Sequence, residues 1–329
     1  MILFGCQDVG PAKYLAELTN SFSDSLLVCS DLSRPFFSNL TEIDEDAIKG
    51  FPKLKLVVLG TSLGEEETSL EKRIIREANR LRIPSVAVIE HWSWYKKRFE
   101  TKAGHIFPDY IIVNDSYAMT EAINDGLPKS RLKVLGNPHL ESLCIADINS
   151  HPISSNFKTK HYLPTDKRII IFISEELCNT FKKETDDYLG YDEFGVLNDL
   201  KSILSPSDHL VLKLHPEEDF NKYDSFIDEK TSVIRECSLQ ELISIADVFV
   251  GMASMLLLEI ALFRANVISY RPNSRKEFIG ERLGATVPAQ NIQQLSWSIN
   301  ATRTQDSNFG LRFKGSKNRI TSFLKDNIK

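Results

Sequence analysis

The 329-residue chain has few cysteines, and none of them is placed for a disulfide framework or a zinc site. They stand singly, their number is odd, and no two share CxxC spacing. A reducing cytoplasm is therefore the expected compartment, and we predict no bound metal. The five are Cys6, Cys29, Cys144, Cys178 and Cys237.

The sequence also has no excess of positive charge and no long apolar run. Its formal net charge of -5 provides no basic field for nucleic acid, so a phosphate-bearing partner would be a small ligand met by a few groups. No segment approaches the roughly eighteen apolar residues of a spanning helix, and no positively charged segment precedes the first apolar ones. We expect no transmembrane segment, while peripheral attachment to a membrane stays open.

Two common nucleotide-binding motifs are missing. The chain contains neither the GxxxxGK[ST] phosphate loop nor the GxGxxG fingerprint. Their absence argues against a nucleoside triphosphatase and against a typical dehydrogenase.

Short, continuous runs of Val, Ile and Leu alternate with helical stretches along the whole chain, as in KLKLVVLG, SVAVIE, RIIIFI and HLVLKLHP. Such runs are typical of parallel strands buried on both faces, and the length exceeds one comfortable core. The sequence predicts an α/β fold with two Rossmann-like doubly wound domains facing a central cleft. We expect the first domain over 1–144, a linker over 145–166, the second domain over 167–312, and a terminal helix over 313–329 packing back on the first domain.

The most informative residues follow two strands of the second half. In VLKLHPEED the strand stops at His215, because Pro216 cannot donate to a sheet ladder. In DVFVGMASMLLLEI a second strand turns, passes Ser254 and enters a helix that carries Glu259. We expect the two strand ends to be adjacent, so that an imidazole, a hydroxyl and a carboxylate share one crevice, where open α/β sheets bind ligands.

Each of these residues also has a structural interpretation. His215 suits a phosphate as a cationic donor, or it bonds a backbone carbonyl. Ser254 suits both a helix N-cap and a phosphate contact. Glu259 lies in a helix that is apolar nearly all round, so it is reserved for ligand hydroxyls or paired with Arg264 or Arg271.

The segments FPDYIIVND…LGNP, KLHP and GMAS…E followed by RP resemble the glycosyltransferases of the B-type fold and the related nucleotide-sugar epimerases. The histidine–proline pair and the following serine are similar to motifs of bacterial sialyltransferases, polysialyltransferases, Kdo transferases and glycerophosphate transferases, which use cytidine-activated donors. The resemblance implies that His215 and Pro216 meet a donor phosphate. It also implies that Ser254 contacts phosphate or cytidine and Glu259 the ribose.

Further donor-side candidates lie near the same strand ends. Ser174 and Glu175 close the strand RIIIFI and are placed to reach a donor phosphate or sugar. Lys213 and Arg271 supply positive charge for the leaving group.

The resemblance implies that the base for glycosyl transfer, which deprotonates the acceptor hydroxyl, comes from the first domain. Glu90 and His91 follow the strand SVAVI, and Asp8 follows the first strand of the chain. Trp92 and Trp94 either stack on a sugar or pack as ordinary core residues.

The resemblance implies a metal-independent glycosyltransferase without a cofactor, moving a sugar such as sialic acid or Kdo from a nucleotide donor to a cell-surface glycan or glycolipid. A CMP-linked donor is favoured. One alternative is a UDP-sugar 2-epimerase, and a second is a non-catalytic glycan-binding or partner protein of the same fold.

Overall fold

A computed structural model describes residues 1–38, 40–44, 53–145, 157–185, 188–216, 218–274, 277–303 and 308–328. The chain divides into two compact units. Unit 1 comprises Met1–Ile145 with Gly310–Lys329, and unit 2 comprises Ala146–Phe309. Of the linker expected over 145–166, residues 146–156 lie outside the described residues, and Phe157–Lys160 form a short helix.

Within the described residues, unit 1 is built on a seven-stranded parallel sheet with the strand order β3-β2-β1-β4-β5-β8-β9. Its strands consist largely of fully buried apolar residues, which explains the continuous Val, Ile and Leu runs. A short antiparallel pair, β6 and β7, lies outside this sheet. The strands are β1 (Ile2–Cys6), β2 (Ser25–Cys29), β3 (Thr41–Glu42), β4 (Leu56–Leu59), β5 (Ser85–Ile89), β6 (Glu100–Thr101), β7 (Gly104–His105), β8 (Tyr110–Val113) and β9 (Leu132–Val134).

Three of the helices described for unit 1 connect strands of the sheet, and a fourth follows its last strand. Ser69 begins one by accepting a hydrogen bond from the Lys72 backbone, and Asp115 begins another by accepting from Ala118. The helix that Ser69 begins ends at Arg82 in the left-handed conformation. The helices are α1 (Val9–Thr19), α2 (Leu70–Leu81), α3 (Ser116–Asn124) and α4 (Pro138–Ile145).

The last helix of the chain, Ser316–Asp326, belongs to the core of unit 1. Its Ile320 and Leu324 are fully buried in one cluster with residues of β1 and α1. The approach is close at Gly136, whose φ of +102° suits glycine and where an added Cβ would lie 2.0 Å from the Ser316 hydroxyl. The same hydroxyl accepts a hydrogen bond from the backbone N–H of Asn137 at 3.1 Å.

Unit 2 contains a six-stranded parallel sheet in the order β12-β11-β10-β13-β14-β15 among its described residues. An apolar cluster of buried residues, from Ile170 to Ile299, includes residues of its strands and of the helices beside them. The strands are β10 (Arg168–Ile173), β11 (Asp208–Lys213), β12 (Thr231–Ile234), β13 (Val248–Gly251), β14 (Val267–Tyr270) and β15 (Val287–Ala289).

Side-chain caps define several helix starts in unit 2. Asp192 accepts from the Gly195 backbone, and Ser238 and Glu241 form a reciprocal capping box. The helices are α5 (Phe157–Lys160), α6 (Leu177–Thr180), α7 (Glu193–Ser202), α8 (Leu239–Ile245), α9 (Met255–Ala261), α10 (Ile279–Arg282) and α11 (Ile292–Asn300). The short helix α12 (Asn308–Leu311) crosses the boundary in sequence between the units, and the terminal helix of unit 1 is α13 (Ser316–Asp326).

Both sheets reverse their strand order at one point, between β1 and β4 in unit 1 and between β10 and β13 in unit 2. In open α/β sheets ligands bind outside the carboxyl ends of the strands at such a switch point. The prediction of an α/β fold with two Rossmann-like domains is confirmed. The strands that end at His215 and before Ser254 are not neighbours, however, because β10 runs between them.

None of the described helices is both long and apolar enough to span a membrane.

Candidate functional site

At the switch point of unit 2, the Glu175 carboxylate is bound to the backbone of the β13–α9 turn. Its Oε1 accepts a hydrogen bond from the Ala253 N–H at 2.7 Å, and the amides of Met252 and Ser254 also bond to this carboxylate. Burial raises the pKa of Glu175 to about 7 although these amide bonds act in the opposite direction. The amides at the entry to α9 thus already bond to a carboxyl group from within the chain.

The neighbouring Ser174 is buried and its hydroxyl is engaged. It donates to Glu218 Oε1 at 2.6 Å and also bonds to the hydroxyl of Tyr223. The expected contact of Ser174 with a donor stays a prediction, and it would require breaking one of these bonds.

A buried ion network lies beneath the end of β11. Lys222 lies between Glu193 and Glu218, with its Nζ 2.5 and 2.6 Å from their carboxylate oxygens. Burial lowers the pKa of Lys222, but the hydrogen bonds to both carboxylates outweigh burial and hold it above its usual value. Glu218 also accepts from the His215 backbone N–H at 2.7 Å, so the network fixes the loop that presents the exposed His215 and Pro216.

The two cations predicted near the leaving group are both buried. Lys213 donates from Nζ to the Leu214 carbonyl at 2.7 Å. Arg271 binds both oxygens of Glu281 through Nη2, each at 2.8 Å. A role of either cation toward a phosphate stays a prediction, and for Arg271 it would compete with this ion pair.

Ser254 and Glu259 occupy the start and the body of α9. The Ser254 hydroxyl accepts from the Leu256 N–H, as expected for an N-cap. Glu259 is 6% exposed on the same helix. Arg264, one of the two cations considered as its partner, donates to the carbonyls of Ile243 and Ala246.

A second glutamate occupies the switch point of unit 1. Glu71, 1% exposed, accepts from the Gln7 N–H and from the Ser62 hydroxyl, each at 2.8 Å. Gln7 in turn accepts from the Leu70 N–H at 3.0 Å. The sequence places Glu71 among charged residues at the start of a helix, and no pattern there indicates its burial.

Glu90 lies one residue beyond β5, against the first turn of α1. Its Oε2 is buried and forms no hydrogen bond within the described structure, and a Cβ added at Gly10 would lie 3.1 Å from Oε1. Burial raises the pKa of Glu90, although the Arg98 guanidinium acts in the opposite direction. This carboxyl is therefore easier to protonate than an ordinary glutamate.

His91 lies in a different electrostatic state. Its Nδ1 is 2.8 Å from the Ser93 hydroxyl. Burial, and then the Arg98 charge, lower its pKa to about 3. The imidazole is neutral near pH 7. It takes up a proton less readily than the Glu90 carboxylate does. Asp8, the third predicted base, precedes α1 at its N-cap position.

Arg98 is a functional candidate that the sequence did not reveal. It is 6% exposed and donates from Nη1 to the Thr61 carbonyl at 3.1 Å and to the Thr61 hydroxyl at 3.2 Å. It thereby places positive charge near both Glu90 and His91. In the run KKRFE nothing distinguishes this arginine from its solvated neighbours.

The two tryptophans beside this site differ. Trp92 is 5% exposed and donates from Nε1 to Asp115 at 2.8 Å, so it is a core residue and not a stacking surface for a sugar. Trp94 has a φ of +58° and lies 4.9 Å from the Lys97 ammonium, measured to the ring centroid.

No family model and no curated protein matches the sequence, whereas many solved structures share the fold. The UDP-GlcNAc 2-epimerase of Methanocaldococcus jannaschii, in complex with UDP-GlcNAc and UDP, superposes with a TM-score of 0.70 at 12% identity, covering 99% of both chains. The UDP-GlcNAc 2-epimerase of Neisseria meningitidis bound to UDP-GlcNAc gives 0.60 at 13% identity over 98% of this chain and 99% of that one. The glycotransferase of kitacinnamycin gives 0.56 at 12% identity over 100% and 99%.

The chain has the fold of the UDP-GlcNAc 2-epimerases. The broad resemblance to the B-type fold is thus confirmed. The expectation of a CMP-dependent glycosyltransferase is wrong, because the epimerases superpose better than the glycotransferase does. At these identities the superposition establishes the fold alone.

Among the described residues no three His, Cys, Asp or Glu side chains cluster in a way that holds a metal ion.

Proposed function

We propose that the chain is an enzyme that binds a UDP-sugar and inverts the configuration at C2 of the sugar. The observation that carries the proposal is Glu90, a strand-end carboxyl with a raised pKa and a buried oxygen that lacks a hydrogen bond. The similarity in fold to UDP-GlcNAc 2-epimerases supports the choice of substrate class.

Inversion at a carbon that carries hydrogen requires that a proton leave one face and another arrive on the opposite face. General acid–base groups are most effective when their pKa lies near the working pH. Glu90 meets this requirement better than His91, whose pKa is about 3. We assign removal of the C2 proton to Glu90: the C–H electron pair forms a C1=C2 double bond as the C1–O bond breaks and UDP leaves as an anion. UDP then adds back to C1 while a proton reaches C2 on the opposite face, which completes the inversion. The positive charge of Arg98 favours the carboxylate form of Glu90 that accepts the proton.

The nucleotide is assigned to the switch point of unit 2. Glu259 is the ribose ligand, and His215 and Pro216, exposed at the end of β11, meet the diphosphate. The buried network of Lys222, Glu193 and Glu218 supports this loop from below. Ser254 remains a candidate for a phosphate contact at the entry to α9.

The test is proton exchange from solvent. Incubation with UDP-N-acetylglucosamine in D₂O should exchange the C2 proton for deuterium and form the C2 epimer, both followed by ¹H NMR. Glu90→Gln should lower the exchange rate by about 100-fold or more, in line with the usual contribution of a general acid–base group, while leaving UDP binding intact.

Glu67→Gln is the matched control, because Glu67 is a carboxylate of the same unit with 59% of its side chain exposed. It should exchange at the wild-type rate. Calorimetric titration with UDP separates binding from chemistry. Absence of both UDP binding and C2 exchange in the wild-type protein would refute the proposal, and full exchange by Glu90→Gln would refute the assignment of the base.

A further inference from the structure

A cavity of about 460 Å³ lies at the amino ends of strands β14 and β15 of unit 2. The candidate site described above lies at the carboxyl ends of the strands. The cavity is formed by residues that precede β14 and β15, among them Arg264, Ala265 and Thr286, together with Arg303 and Phe309. In a parallel sheet these are the amino ends of the strands, so β14 separates the cavity from Arg271 by roughly 13 Å of strand. The cavity is not part of the proposed UDP-sugar site.

Two arginines give this cavity its positive charge. Within the part of the chain that the structure describes, neither Arg264 nor Arg303 forms an ion pair, and no acidic side chain lines the cavity. Arg264 is held by the carbonyls of Ile243 and Ala246 at the end of α8, at 2.7 and 2.9 Å from its Nη2. These contacts fix its position without neutralising its charge.

Arg303 is the more informative of the two. Its Nε and Nη2 are buried and form no hydrogen bond within the described structure. The same two nitrogens form the guanidinium edge with which Arg80 binds both carboxylate oxygens of Glu77. A buried donor left without an acceptor is unfavourable, and a turn of the Arg303 side chain toward the cavity it lines would let an anion with two oxygens satisfy both donors at once.

We propose that this cavity is a second ligand site, which binds a phosphomonoester of a small molecule through Arg303 and Arg264. The volume exceeds that of a free phosphate and falls in the usual range for small-ligand pockets. Its remaining lining is neutral, from alanine, threonine and proline side chains and from Phe309. That lining suits an uncharged body attached to the phosphate group.

The structure supplies an internal reporter for this site. The Arg303 guanidinium lies 5.3 Å from the ring centroid of Trp297, a side chain that is 67% exposed. An anion that binds Arg303 should change this cation–π contact and with it the Trp297 fluorescence. Trp297→Phe should abolish the change in fluorescence but retain binding measured by calorimetry.

Binding is tested with glucose 6-phosphate and with inorganic phosphate, each against chloride at equal ionic strength. We expect saturable binding of glucose 6-phosphate, and tighter binding of it than of inorganic phosphate. Arg303→Gln should weaken binding by roughly tenfold or more, the usual consequence of losing charge-assisted hydrogen bonds. Tighter binding of inorganic phosphate would refute the phosphomonoester.

Arg282→Gln is the matched control, because Arg282 lies on α10, pairs with Glu277 and does not line the cavity. It should bind glucose 6-phosphate as the wild type does. Thermal unfolding of Arg303→Gln tests whether the variant is folded. We expect a melting temperature at or above that of the wild type, because the substitution removes the two buried guanidinium donors that lack an acceptor. Equal affinity in Arg303→Gln and wild type, or binding that does not saturate, would overturn the proposal whether or not the protein binds UDP.

Discussion

The carboxyl of Glu175 should make the stability of the protein depend on pH in an unusual direction. Its pKa rises on folding from the ordinary 4.5 to about 7, chiefly through burial. A folded state that holds a proton more tightly than the unfolded state is favoured at low pH. The stabilisation from this proton is complete below about pH 4.5 and is lost as the pH rises through 7.

The size of the effect follows from the shift. Each pKa unit corresponds to about 1.4 kcal/mol, so between pH 8 and pH 5 this one group should add about 2.5 kcal/mol to the free energy of unfolding. Glu175→Gln removes the titration but keeps an acceptor for the Ala253 N–H, which the carboxylate binds at 2.7 Å. On going from pH 8 to pH 5, the free energy of unfolding of the variant should therefore rise by about 2.5 kcal/mol less than that of the wild type.

The assay is urea unfolding followed by far-ultraviolet circular dichroism at pH 5, 6, 7 and 8. Other titrating groups, including His91, are common to both proteins and cancel in the difference. Glu176→Gln removes the adjacent negative charge and should retain the wild-type difference between pH 8 and pH 5. Parallel pH profiles for Glu175→Gln and wild type would show that the carboxyl is not held in the way the structure indicates.

Three further predictions test other parts of the structure. Lys222→Met leaves two buried carboxylates without their cation and should lower the free energy of unfolding by about 3–5 kcal/mol, whereas Lys102→Met, at an exposed pair with Glu67, should leave it nearly unchanged in urea titrations. The imidazole signals of His91 should not shift between pH 5 and pH 8 in NMR spectra, since its pKa is about 3, and titration near pH 6.5 would contradict its burial. Gly136→Ala should destabilise unit 1 by about 1–3 kcal/mol in thermal unfolding, because its φ is +102° and the new Cβ meets Ser316, and unchanged stability would contradict this close packing.

The sequence predicted the α/β class because strands buried on both faces have a simple signature. The runs around Val58, Val88 and Ile171 consist of apolar residues with almost no interruption, and each became a central strand. Two-residue strands such as β3, β6 and β7 have no room for a pattern and were not predicted. Strand order was also hidden, and so the strands before His215 and Ser254 were wrongly placed side by side.

The sequence indicates which candidate residues follow a strand, but it does not indicate which residues they form hydrogen bonds with. Strand-end residues such as Glu90, Glu175 and His215 can be recognised because a polar residue follows an apolar run. Their hydrogen bonds cannot, because the partner is distant in sequence: Glu175 and Ala253 are 78 residues apart. The same distance effect hid Arg98, whose burial depends on Thr61, 37 residues earlier.

The position of α13 has a consequence for how the protein matures on the ribosome. The core of unit 1 includes Ile320 and Leu324, so this unit cannot complete its packing until all of unit 2 and then α13 have been synthesised. Unit 2 is continuous in sequence and emerges entirely before that helix. Domains generally fold in the order of synthesis, from the N-terminus onward. Here we expect the reverse, with the second unit reaching its native state while the first still awaits its final helix.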